Sequence, residues 1–154
     1  MEKKFELTDN FVINAFGIKL FQIKCTKSFK YANEGDLGGY VEKEDNLSQS
    51  GDAWVSGDAQ VSGNARVSGN AQVSGNARVE NNHMHCGFDC FGSCNRHTHA
   101  YKTKGNKVEI TCGCFRGSLE EFEKKVEETH KGTIYEKQYK AIINLIKIKF
   151  GIDG

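Results

Sequence analysis

The sequence predicts a mainly β fold: a short parallel β-helix behind an N-terminal β cap, followed by a small ββαα domain. Three observations predict it. Five hexapeptides run without a gap over residues 53–82, reading AWVSGD, AQVSGN, ARVSGN, AQVSGN and ARVENN. The chain has 17 glycines and no proline, so its turns fall to Gly, Asn and Asp. After residue 82 the six-residue period gives way to alternating strands and then to helical spacing. The implied organisation is a cap over residues 1–40, a repeat region over 41–82 and a C-terminal domain over 83–154.

A six-residue period suits neither a helix nor an alternating strand. It suits a coil in which each hexapeptide forms one side and three make a turn. Ala53, Ala59, Ala65, Ala71 and Ala77 then point inward, as do Val55, Val61, Val67, Val73 and Val79. Trp54, Gln60, Arg66, Gln72 and Arg78 point outward, and Gly with Asn or Asp turns each corner. Val55 falls under Val73 and Val61 under Val79. A degenerate stretch over 41–52, with Leu47 and Ala53 in register, extends the coil at its start. Each coil buries only half its side chains and both ends expose strand edges, so caps or a homo-oligomer must cover them.

The cap reads as short strands in KFELTD and FVINAFGIKLFQIKCTKSFKY. Phe11, Ile13, Ile18, Leu20, Phe21 and Ile23 are its apolar positions, and Gly17 is its turn. The strand over 4–9 (KFELTD), the run over 35–55 (GDLGGYVEKEDNLSQSGDAWV) and the Val-Ser-Gly-Asn-Ala-Arg unit resemble a family of small hexapeptide-repeat proteins carried by bacteriophages and prophages. The resemblance covers residues 3–80. It implies a left-handed β-helix, trimers about the coil axis and a phage context, hence the cytoplasm of a bacterial host. It implies no reaction.

The C-terminal domain begins with strands over 97–103 and 106–112, joined at Lys104-Gly105. A first helix starts at Ser118, with Glu121 completing a capping box, Leu119, Phe122 and Val126 as its apolar face, and Gly132 as its end. A second runs from about 135 to 150, with Tyr139, Ile142, Ile143, Ile146 and Phe150 in one stripe. The segment CGCFRGSLEEFEKKVEETH resembles a C-terminal module of phage proteins of this kind, over residues 92–146.

Between the repeats and this hairpin lies HMHCGFDCFGSCNRHTH, a cluster of metal-ligand residue types. In the hexapeptide register His83 and His85 fall where Ala and Val fall, so they read as a decayed sixth repeat that closes the coil or turns the chain away. With Thr103 opposite Asn106, His97 faces Cys112, and His97, His99, Cys112 and Cys114 share one side of the hairpin. That tetrad would suit zinc, whereas a one-residue slip would put the histidines and cysteines on opposite faces. Cys86, Cys90 and Cys94, each four residues apart, match no zinc-knuckle spacing. The expectation is therefore no cofactor and no metal.

Lys+Arg is 21 and Asp+Glu 20, for a net charge of +1, so nothing steers the chain to nucleic acid or to a membrane surface. No apolar run approaches the roughly 18 residues of a membrane span, and MEKKFELTDN has no apolar core of a signal peptide. Residues 53–82 hold no histidine to act as the base of a hexapeptide acyltransferase. The expectation is a non-enzymatic binding protein. Ser93, Asn95, Arg96, His97, His99, Tyr101 and Lys102 group donors, aromatic surface and positive charge suited to a small phosphate-bearing ligand or a host defence protein. With the phage resemblance, this reads as countering host defence, by sequestering a nucleotide-type signal or by blocking a defence protein such as a CRISPR effector. An acyltransferase-like enzyme or a zinc-stabilised assembly protein is the alternative.

Overall fold

A computed structural model describes residues 3–152; Met1 and Glu2, at the head of the MEKKFELTDN stretch, lie outside them. The chain divides into two compact units, one up to His83 and one from Met84 onward.

The first unit is a β-solenoid. Strands β1 (Phe5–Ile13), β2 (Lys19–Cys25) and β3 (Leu37–Val41) pair antiparallel, and β3 then pairs in parallel with β5 (Gln60–Val61), which pairs with β7 (Arg78–Val79). A second side holds β4 (Trp54–Val55) against β6 (Gln72–Val73), and a third holds the single bridge Leu47 to Val67. Val55 meets Val73 and Val61 meets Val79, eighteen residues apart. Leu47 meets Val67 and Val41 meets Val61, twenty apart, so two extra residues lie between Leu47 and Val55. Leu47 thus stacks on a valine position, not the alanine position that uninterrupted spacing would assign to it.

The core is a column of small and branched side chains: all five alanines and all five valines of the repeats are buried. The corners explain the glycines. Gly51, Gly57, Gly63, Gly69 and Gly75 have φ between 60 and 71°, which an L side chain adopts only under strain. Asn46, fully buried, donates from Nδ2 to the carbonyls of Gly63 and Ala65 at 3.2 and 2.8 Å and accepts from Lys43 N–H at 2.9 Å, satisfying backbone groups that the short strands leave over.

Two expectations change in this unit. Trp54, placed outward by the repeat, is buried and meets the Phe29 ring edge-on at 5.2 Å, because the N-terminal segment covers that side. Phe11 and Ile13 are exposed although their spacing reads as core; β1 is the outermost strand of its sheet, and only Leu20 and Ile23 of the six apolar positions are fully buried.

The second unit is a four-stranded antiparallel sheet in the order β11-β10-β9-β8, carrying two helices. Its strands are β8 (His85–Phe91), β9 (Arg96–Thr103), β10 (Lys107–Cys112) and β11 (Phe115–Ser118). Helix α1 (Leu119–His130) is capped by Ser118, whose hydroxyl accepts from Glu121 N–H while the Glu121 carboxylate accepts from Ser118 N–H. These bonds hold the exposed Glu121 carboxyl below its usual range. Helix α2 (Ile134–Phe150) ends in a left-handed Gly151, φ 66°. Leu119, Phe122 and Val126 of α1 and Tyr139, Ile142, Ile143 and Ile146 of α2 pack with Ala100, Ile110 and Cys112 of the sheet into one core. No helix among the described residues is long and apolar enough to cross a membrane.

The hairpin register differs by one residue from the sequence expectation. Thr103 pairs with Lys107, not Asn106, so Thr98 faces Cys112 and His99 faces Thr111. Lys104, Gly105 and Asn106 together form the turn, with Gly105 at φ 85° and Asn106 at φ 61°. Asparagine tolerates that left-handed conformation, which lets the loop take a third residue. His83 and His85 also part company. A 3₁₀ turn over Asn82–Met84 ends the repeats, and His85 opens β8 instead of closing a coil.

Candidate functional site

The shifted register decides which side chains meet. Cys112 lies on the helix-covered face, where Thr98 Oγ1 donates to its sulfur at 3.2 Å and the Tyr139 hydroxyl stands 3.7 Å away. His97 and His99 lie on the other face. The four residues of the sequence tetrad, His97, His99, Cys112 and Cys114, therefore do not converge. Among the described residues no group of three or more His, Cys, Asp or Glu side chains is arranged to hold a metal ion.

The seven residues singled out from the sequence separate into four places. Ser93 and Asn95 are exposed in the turn between β8 and β9. That turn is tied down from below: Gly92 N–H donates to Gln138 Oε1 at 2.9 Å, and the Tyr139 hydroxyl fills the space where a side chain at residue 92 would stand. Gly92 has φ 82° and Asn95 φ 50°, so both positions need residues that accept left-handed backbone. Lys102 extends over the Phe150 ring, 5.3 Å from its centre. Arg96 lies across Gly113, where any side chain would collide with its guanidinium.

Arg96 belongs to a cleft between the sheet end and the helices. Its volume is about 470 Å³, and its floor is apolar and aromatic: Phe115, Phe122, Val126 and Tyr139. Around it stand Arg96 from β9, Arg116 from β11, and Lys125 and His130 from α1; among the described residues no carboxylate lines it. His130 stacks on Tyr139 at 5.5 Å and 28°, and Phe115 meets Phe122 at 5.3 Å. Burial, followed by Cys112 beside it, pushes the Tyr139 hydroxyl well above the usual tyrosine range, so it stays protonated and able to donate. Such a cleft can hold a flat apolar group on its floor and an anion at its rim. Arg116 only borders the cleft: it pairs with Thr111, so its side chain leans to the opposite sheet face, where it approaches Glu109 at 3.7 Å.

His97, His99 and Tyr101 form a second arrangement on the opposite sheet face. His97 Nδ1 is 2.5 Å from Asp89 Oδ1, His97 Nε2 is 2.9 Å from His99 Nδ1, and His99 Nε2 is 2.9 Å from His85 Nδ1. The next residue on this face of β9, Tyr101, donates its hydroxyl to Glu109. Gly87 makes this packing possible, since it lies opposite His99 and has no side chain to displace the two rings. Burial, then the charge of Lys149, lowers His85 to a pKa of about 4. Burial, then the other two rings, holds His99 well below the usual histidine range. Both rings are neutral at pH 7.

Sequence reasoning missed Asp89, His85, Arg116, Lys125 and His130 as site residues. The first two carried a signal. His85-x-Gly87-x-Asp89 alternates as His97-x-His99-x-Tyr101 does, and a period-two reading of HCGFDCF finds the strand. The missed cleft cations carried none, because they come from two elements whose packing the sequence does not mark.

Over residues 59–71 and 71–83 the chain matches the YdcK beta solenoid repeat, segments that take in β5, β6 and β7. No curated protein matches the chain.

Proposed function

We propose that the C-terminal unit is the ligand-binding part of a non-enzymatic protein, and that its ligand is a small phosphate-bearing molecule with a flat ring, such as a nucleotide-type signal. The observation that carries this reading is the cleft of about 470 Å³ in which Arg96 and Lys125 stand around an aromatic floor with no carboxylate among its described lining residues. Cations without a competing carboxylate favour an anion, and a guanidinium group suits phosphate by paired donation. Ser93 and Asn95 lie on the turn that leads into Arg96, so they are within the same reading.

The biological setting rests on resemblance. The KFELTD strand and the run over 35–55 support a phage or prophage origin, work in the cytoplasm of a bacterial host, and a role against host defence. In that setting the protein sequesters a signalling nucleotide. The repeat unit supports a left-handed hexapeptide coil, and the small repeat core supports a homo-oligomer, a trimer in this architecture.

The test is capture and release. The purified full chain is incubated with cyclic and ADP-ribose-type nucleotides, desalted and heated. Release of intact nucleotide is the expected result. Release of a converted product would make the protein an enzyme, and no retention at all would move the reading to a protein partner recovered from host lysate.

A further inference from the structure

We infer that Asp89, His97, His99 and His85 form a hydrogen-bonded chain with a fixed donor direction, running between a solvent-exposed carboxylate and a buried imidazole. The four side chains are joined end to end by three contacts of 2.5–2.9 Å. The Asp89 side chain is 59% exposed and the His97 side chain 11%, while the next two residues, His99 and His85, are 4% and 9% exposed.

The direction follows from counting hydrogens. An ionised carboxylate has only acceptors, so His97 donates to Asp89 from Nδ1. Above the ordinary histidine titration range each imidazole is neutral and carries one N–H, so His97 Nε2 is then a lone pair and accepts from His99 Nδ1. The same step makes His99 Nε2 an acceptor, and His85 donates to it from Nδ1. The carboxylate thus sets the tautomer of a ring it does not touch. The other carboxylate on this face does not compete, because Glu109 is engaged by the Tyr101 hydroxyl and Arg116. The remaining charge near the chain, Lys149 of α2, acts at the His85 end.

Burial of the two inner rings keeps water from replacing their mutual hydrogen bonds.

The test is ¹⁵N NMR of the histidine rings in the full chain, above the ordinary histidine titration range. Expected are hydrogen on Nδ1 of His85, His97 and His99, and a nitrogen–nitrogen coupling across each of the two ring–ring hydrogen bonds. Hydrogen on Nε2 of any of the three would overturn the assignment, as would absence of the couplings. In Asp89→Ala the order should lose its anchor, and the His85 ring signals should change although residue 89 does not touch that ring. Unchanged His85 and His99 signals in that variant would reduce the arrangement to packing. The wild-type spectrum decides the matter alone if the variant does not fold.

Discussion

Gly87 lies opposite His99 in the β8–β9 ladder, and a methyl group added there would stand 2.8 Å from His99 Nδ1 and 2.5 Å from His97 Cε1. The absence of one side chain on β8 is what allows two imidazoles to stack on β9, 5.1 Å apart at 25°. Gly87→Ala forces one ring off its neighbour. Overpacking of this kind costs about 1–3 kcal/mol. Urea unfolding should show a lower midpoint at unchanged slope, and the ring–ring hydrogen bonds should be lost. A midpoint equal to wild type would show that the rings are held elsewhere.

Acid should destabilise the protein through the same rings. His85 and His99 are buried as neutral imidazoles, with pKa values below the ordinary 6.5, about 4 for His85. Between the folded and unfolded values the unfolded chain binds more protons, so stability is complete above about pH 6.5 and falls as pH drops toward the folded pKa. A shift of this size at His85 corresponds to about 3 kcal/mol. Chemical denaturation from pH 8 to 4 should show the loss concentrated below pH 6.5. Replacement of His85 by Phe should flatten that dependence, and an equally steep profile in the variant would assign it to other groups.

Asn46 is the buried polar group on which the first coil most depends. Its loss leaves the carbonyls of Gly63 and Ala65 and the N–H of Lys43 without this partner. Asn46→Ala should cost about 2 kcal/mol or more, since buried groups lose their hydrogen bonds without gaining water. Asn70→Ala, at an exposed corner, should change stability by less than about 0.5 kcal/mol. Paired thermal unfolding of the two variants checks the contrast; equal shifts would contradict it.

How far the sequence was legible depended on whether a feature was periodic. The Ala and Val columns of the solenoid repeat every six residues, and each of those side chains is buried. The Ser118 capping box and the α1 and α2 stripes are similarly local, and the observed helices keep them. Trp54 obeyed the repeat in sequence and broke it in space, because Phe29 from a distant segment packs on it. The hairpin failed through one turn residue: Asn106 takes φ 61°, the loop lengthens, and the histidines change faces relative to Cys112. Neither choice of loop was marked in the local sequence. The cleft was invisible for a different reason, since Arg96 and Lys125 are brought together only by the packing of α1 on the sheet.

The most direct test of the binding reading is a calorimetric titration of the intact chain with the nucleotide retained in the capture experiment, beside the charge reversal Lys125→Glu. Lys125 is exposed on α1 and lines the cleft, so the variant should fold as wild type. Saturable binding to wild type is expected, with at least about a tenfold weaker affinity in Lys125→Glu, the scale of one charge-assisted contact. Equal affinity in the two proteins would place the ligand elsewhere, and absence of binding to wild type would contradict the account.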